Sequence, residues 1–81
     1  MPTGAHDMKL DNIDDLIDGH GEITLGVIGP VRCAAVATDG TQALAMLVRR
    51  DGESLGALLR RLDKAIEDAR EREVFVDEIN G

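Results

Sequence analysis

Asp39-Gly40 stands between two apolar runs, and no other feature constrains the fold of this chain as tightly. Asp-Gly is a favoured pair for a two-residue type I′ hairpin, in which both central residues take positive φ. Side chains alternate along a strand, so such a turn sets which residues share a face, and a one-residue slip exchanges the faces. The expected register places Thr38 opposite Thr41, Val36 opposite Ala43, Ala34 opposite Ala45 and Arg32 opposite Leu47. On the other face Ala35 meets Leu44, Cys33 meets Met46 and Val31 meets Val48.

The remaining elements follow from their punctuation. Glu22–Ile28 and Val31–Thr38 flank Gly29-Pro30 and read as strands, with Thr41–Arg50 as the third. Asp51-Gly52 turns the chain, and Ser54 caps a helix over Leu55–Glu71. Leu55, Leu58, Leu59, Leu62, Ala65, Ile66 and Ala69 recur there at the spacing of one buried face. Val74–Ile79 has the composition of a fourth strand. Between Asp11 and Gly19 a short helix is expected, capped by Asp11 or Asn12 and striped by Leu10, Ile13, Leu16 and Ile17. Residues 1–9 read as a flexible arm and 10–81 as a single domain. The fold class is α+β: a small three-stranded antiparallel meander, one amphipathic helix, a C-terminal strand and the short leading helix.

In this register the sheet has two apolar faces. Leu44, Met46 and Val48 are expected against the leucine-rich helix. Ala34, Val36, Ala43, Ala45 and Leu47, interrupted by Arg32, form the second face. An antiparallel sheet wetted on one side should alternate apolar with polar residues. This one does not, so its second face calls for a cover, either the short helix or a second copy of the chain.

Composition narrows the chemistry. The chain has 81 residues, net charge −7, one cysteine (Cys33) and one aromatic residue (Phe75). A lone cysteine excludes an internal disulfide framework, which fits a reducing, cytoplasmic setting. No apolar run is long enough to span a bilayer. The acidity disfavours direct binding to nucleic acid or an anionic membrane. It is also uneven, with local charges of −5, +2 and −4 over residues 1–22, 23–50 and 51–81.

Nothing in the pattern points to catalysis. Ser54 is committed to capping, and Cys33 reads as a buried strand thiol. Asp11 and Glu22 have the spacing of the first and last ligands of a calcium loop, but Ile13 and Leu16 occupy a ligand position and the sharp-turn glycine position. Asp14, Asp15, Asp18, His20 and Glu22 are therefore read as a solvated acidic edge, with an adventitious divalent site and a minor metal-dependent activity as the lesser alternative, and no metal or cofactor is expected. Arg49, Arg50, Arg60 and Arg61 are read as surface charges balancing Asp51, Glu53 and Asp63.

The segment Gly52-Glu-Ser-Leu-Gly-Ala-Leu-Leu-Arg-Arg-Leu-Asp-Lys-Ala-Ile-Glu-Asp-Ala69 resembles the helix-entry segment of HicB-type antitoxins. There a Gly, a polar residue and Ser/Thr lead into a helix ending in an Ala-Ile pair. The element order is similar to that family's reduced ribonuclease-H-like unit. Arg49-Arg50-Asp51 stands where the family has a turn containing Pro, Gly or Cys. The Leu-Val-Arg-Arg-Asp-Gly-Glu-Ser-Leu run also looks like short proteins of bacterial and prophage genomes. The resemblance implies an antitoxin-like or accessory regulator with a protein partner.

The expectation is a non-enzymatic, protein-binding homodimer. Its interface is Arg32, Ala34, Val36, Ala43, Ala45 and Leu47, with Asp11, Asp14, Asp15 and Asp18 as an acidic partner surface. The alternative is a phage-type inhibitor acting on a defence or nucleic-acid-binding machine. In it the acids of both ends, including Glu71, Glu73, Asp77 and Glu78, imitate phosphates.

Overall fold

The computed structural model describes residues 9–80, so the arm expected at 1–9 lies outside the described residues except for Lys9. The element order is α1 (Asp11–Asp18), β1 (Glu22–Ile28), β2 (Val31–Thr38), β3 (Ala43–Val48), α2 (Leu55–Arg72) and β4 (Val76–Asp77). The four strands form one sheet in the order β1-β2-β3-β4. The first three make an antiparallel meander, and β4 returns after α2 to lie parallel to β3. The architecture is the expected α+β arrangement. β4 is shorter than the strand read over Val74–Ile79, with only two residues in the ladder. Its pairing is prolonged by Glu78, whose backbone N–H donates to the Met46 carbonyl at 2.7 Å and whose Oε1 accepts from Val48 N at 2.9 Å.

α2 begins where the sequence says it should. Ser54 Oγ accepts from Ala57 N at 3.0 Å, satisfying one of the amides that a first turn leaves unpaired. The helix ends on Glu73 in a left-handed conformation at φ 56°, with its N–H returned to the Ala69 carbonyl. The face made by Leu58, Leu62, Ala65, Ile66 and Ala69 is buried.

The β2–β3 register differs from the hairpin expectation. Thr38 pairs with Ala43, Ala37 with Ala45, Val36 with Met46, Ala35 with Leu47 and Ala34 with Val48. The connection is a four-residue loop, Asp39–Gln42, because the Asp39 carboxylate organises it. Oδ1 accepts from Thr41 N (2.9 Å), Thr41 Oγ1 (2.9 Å) and Gln42 N (3.0 Å), while Asp39 N donates to the Gln42 carbonyl. A type I′ turn needs positive φ at both central residues, yet only Gly40 adopts it, at 99°. The hydrogen bonds lower the Asp39 carboxyl below its ordinary range, with the bond from the Thr41 backbone as the largest contributor. A bulge at Leu44 then places Leu44 and Ala45 consecutively in the core.

Both helices cover the same face of the sheet. Leu16 of α1, the buried face of α2, and Ala35, Ala37, Leu44, Ala45 and Leu47 of the sheet form one cluster, against which Ile13, Ile23, Cys33 and Val76 pack. The short helix therefore does not cover the second face. Its attachment is tight: a Cβ on Gly21 would lie 2.5 Å from Leu16 Cδ1 and 2.7 Å from the Thr38 carbonyl, so only glycine admits this approach of α1 to the sheet. The α1 cap is also not the one expected. Leu10 occupies the N-cap position and offers no side-chain acceptor. Asp63 of α2 supplies it, accepting from Asn12 N and Ile13 N through Oδ1 (2.9 Å each) and from Asn12 Nδ2 through Oδ2 (3.0 Å).

Candidate interaction surface

The face opposite the helices is built by alternation. Thr24 pairs with Val36 and Gly26 with Ala34 across β1–β2, and Val36 and Ala34 pair with Met46 and Val48 across β2–β3. Ala34, Val36, Met46 and Val48 each lie one residue away from a core residue and so point the other way, and Thr24 and Gly26 share their face by pairing. The result is an apolar strip of Ala34, Val36, Met46 and Val48, flanked by Thr24 and Gly26, with Arg32 at one end and Thr38 and Ala43 at the other. Ala34 is buried, while Val36, Met46 and Val48 are half-buried. Among the described residues, neither helix lies over this strip.

The expected interface set is therefore divided. Arg32, Ala34, Val36 and Ala43 lie on this face. Ala45 and Leu47 do not: they are 0% and 2% exposed, packed beneath α2. Met46 and Val48, assigned by the two-residue turn to the helix side, take their places. The cause is the bulge at Leu44: the longer loop shifts the register by two residues and keeps Ala43 on the open face, and the bulge then exchanges the faces of β3 from Ala45 onward and leaves β2 as read.

The basic residues partly converge. Glu53 is the focus, with Oε2 accepting from Arg61 Nε (2.8 Å), and Oε1 accepting from Arg61 Nη2 (3.0 Å) and Arg50 N (2.9 Å). Arg61 also donates to Glu78 Oε2 (3.1 Å) and the Val48 carbonyl (2.9 Å), and Arg49 Nε donates to the Glu53 carbonyl (2.7 Å). The Arg61 hydrogen bond, followed by that from the Arg50 backbone, lowers the Glu53 carboxyl to about 2. The Arg61 guanidinium is raised in return, first by the Glu53 hydrogen bond. Arg60 takes no part among these bonds. The cluster is a clasp between β3, α2 and the end of β4. Beside it lies an open depression of about 710 Å³ lined by Arg32, Cys33, Arg49, Arg50 and Ser54 among others.

Asp11, Asp14, Asp15 and Asp18 are all exposed, at the spacing of one helical stripe on α1. The acids proposed to extend that surface from the C-terminal end are partly spent internally. Asp77 accepts from Ile79 N and Asn80 N, and Glu78 is held by Arg61. Among the described residues no three His, Cys, Asp or Glu side chains are grouped to hold a metal ion, and no helix is long and apolar enough to cross a membrane. No protein-family model, curated protein or solved structure matches the chain.

Proposed function

We propose that this chain is a small, non-enzymatic protein-binding regulator that works as a homodimer, antitoxin-like in character, with the open sheet face as its self-association surface. The observation that carries this reading is the strip of Ala34, Val36, Met46 and Val48 on a face that neither helix covers. Small and medium apolar side chains allow two sheets to approach face to face at about 10 Å. A two-fold arrangement makes the same patch serve both partners. Arg32 at one end of the strip is long enough to reach past the rim, so its charge need not be buried. The strip spans three strands only, so the interface falls near the low end of stable interfaces, below about 1,200 Å² in total. Association is accordingly expected in the micromolar range.

Sedimentation velocity across a concentration series tests the reading. A monomer–dimer equilibrium should appear, and both Val36→Lys and Met46→Lys should shift it to monomer while leaving the circular dichroism spectrum intact. A chain that stays monomeric to about a hundred times the micromolar range given above overturns the reading.

A further inference from the structure

The two edges of the sheet are not equally closed. β4 is two residues long and is fastened to β3 through Glu78, whereas β1 offers a seven-residue strand with one side unpaired among the described residues. Proteins usually blunt such an edge with charge, proline or a bulge. β1 has no charged residue and no proline after Glu22. Its bulge lies at the far end, between Gly26 and Ile28, leaving Glu22–Gly26 as five residues in unbroken register. Two of the chain's large exposed apolar side chains, Leu25 (43%) and Val27 (77%), stand on this strand, and a third, Ile17 (47%), on α1, which packs against it. An unpaired backbone edge next to exposed apolar side chains is the arrangement by which sheets accept an added strand.

We propose that the β1 edge binds an extended segment of a partner protein, apolar at alternate positions and flanked by basic residues. The charge on the page selects this occupant over a second copy of the chain. α1 packs against β1 and presents Asp11, Asp14, Asp15 and Asp18 outward, and Glu22 opens the strand. Edge-to-edge pairing of two copies sets two such acidic helices side by side over one continuous sheet, a like-charge juxtaposition that costs affinity. A strand with Lys or Arg flanks turns the same charges to advantage. The incoming backbone pairs with Glu22–Gly26, its apolar side chains meet Leu25, Val27 and Ile17, and its basic ends lie toward α1. This surface is separate from the open sheet face, so it stands whether or not the chain dimerises there.

The test is a displayed library of twelve-residue random peptides panned against the full chain, followed by amide chemical-shift mapping of a selected synthetic peptide. The expected sequences alternate apolar residues and carry Lys or Arg at the ends, and the perturbed amides fall on Glu22–Gly26. Val27→Lys, at a position already mostly in water and therefore compatible with folding, should weaken binding at least tenfold. Combined Asp14→Asn, Asp15→Asn and Asp18→Asn should weaken it at least threefold and flatten its salt dependence. The proposal is overturned if no peptide is selected, if the flanks selected are acidic or neutral, if Val27→Lys binds as wild type does, or if the shifts fall on Val36, Met46 and Val48. It is likewise overturned if two copies of the chain pair through β1, a result that Val27→Lys would abolish and Met46→Lys would not.

Discussion

Met46 and Leu47 are neighbours in β3, yet they belong to opposite regions of the molecule. Leu47 is 2% exposed, closed between the sheet and α2, whereas Met46 is half-buried on a face that, among the described residues, neither helix covers. The residues are alike in size and hydrophobicity. What separates them is the period of the strand, together with a bulge at Leu44 that decides which phase of that period meets the helices. Stability should therefore be concentrated on one side of the sheet and association on the other, and substitutions can be chosen to break that division.

The largest effect is expected from Leu47→Ala. Removing a fully enclosed leucine leaves a cavity in a core made mostly of alanine and leucine, at a cost of about 2–5 kcal/mol. Met46→Ala, measured below the dimer dissociation concentration, should cost about 1 kcal/mol or less, because water can occupy the vacated space. In urea titrations of dilute protein the first midpoint should fall sharply and the second scarcely move. Equal losses from the two would mean that the open face is covered within the monomer, and the comparison would fail.

The sequence allowed one phase of this comparison to be read and not the other. β2 lies between two strands, and its alternation of Arg32, Ala34, Val36 against Cys33, Ala35, Ala37 survives whatever loop follows it. The phase of β3 from Ala45 onward depends on the bulge at Leu44, which no local pattern announces, whereas the length of the loop, where Asp-Gly is ambiguous, leaves Ala43 on the open face either way. The same dipeptide that suits a two-residue turn also places a carboxylate where it can gather Thr41 N, Thr41 Oγ1 and Gln42 N. Three local hydrogen bonds favour the longer loop, and the bulge at Leu44, a core-side residue in either register, is what carries Ala45 and Leu47 into the core. α2 was legible because Ser54 and its leucine stripe are local signals. Asp63 was not: on the helical period it belongs to the polar row, and only the packing of α1 beside α2 makes it a cap. Glu53, Arg61 and Glu78 are far apart in sequence, so their clasp likewise exists only after the strands are ordered.

Asp63 sharpens the comparison at the next level of energy, because it holds an auxiliary part of the covered face. Asp63→Ala removes the acceptor of two α1 backbone amides and should cost about 1–2 kcal/mol, the usual loss on deleting a helix cap. Asp63→Asn, which keeps one acceptor oxygen, should recover part of it. Hydrogen exchange distinguishes a local from a global loss. Amides of α1 should lose protection in Asp63→Ala while those of β2 and β3 keep theirs, and the dimerisation constant should be unchanged. A uniform loss of protection would show instead that α1 is integral to the core.

The smallest effect is expected at the clasp, and pH is the way to read it. Glu53 is lowered from an ordinary 4.5 to about 2, chiefly by the Arg61 hydrogen bond. A carboxyl whose pKa is depressed on folding stabilises the native state above its unfolded value, and that contribution fades as pH falls toward the folded one. The melting temperature should thus hold near neutrality and decline from about pH 4.5 to about 2 as the unfolded chain takes up the proton that native Glu53 refuses. Asp39 and Asp77, both lowered by local hydrogen bonds, add to the same decline, so the wild-type curve alone does not isolate the clasp. Glu53→Gln does: it should melt lower than wild type at pH 7 and converge with it in acid, because glutamine has no charge to lose. Sedimentation on the same pair should show equal association at pH 7, since the clasp fastens β4 and α2 and leaves Val36, Met46 and Val48 where they were. Parallel melting curves for wild type and Glu53→Gln would mean that Arg61 holds the strand edge through Glu78 and the Val48 carbonyl alone.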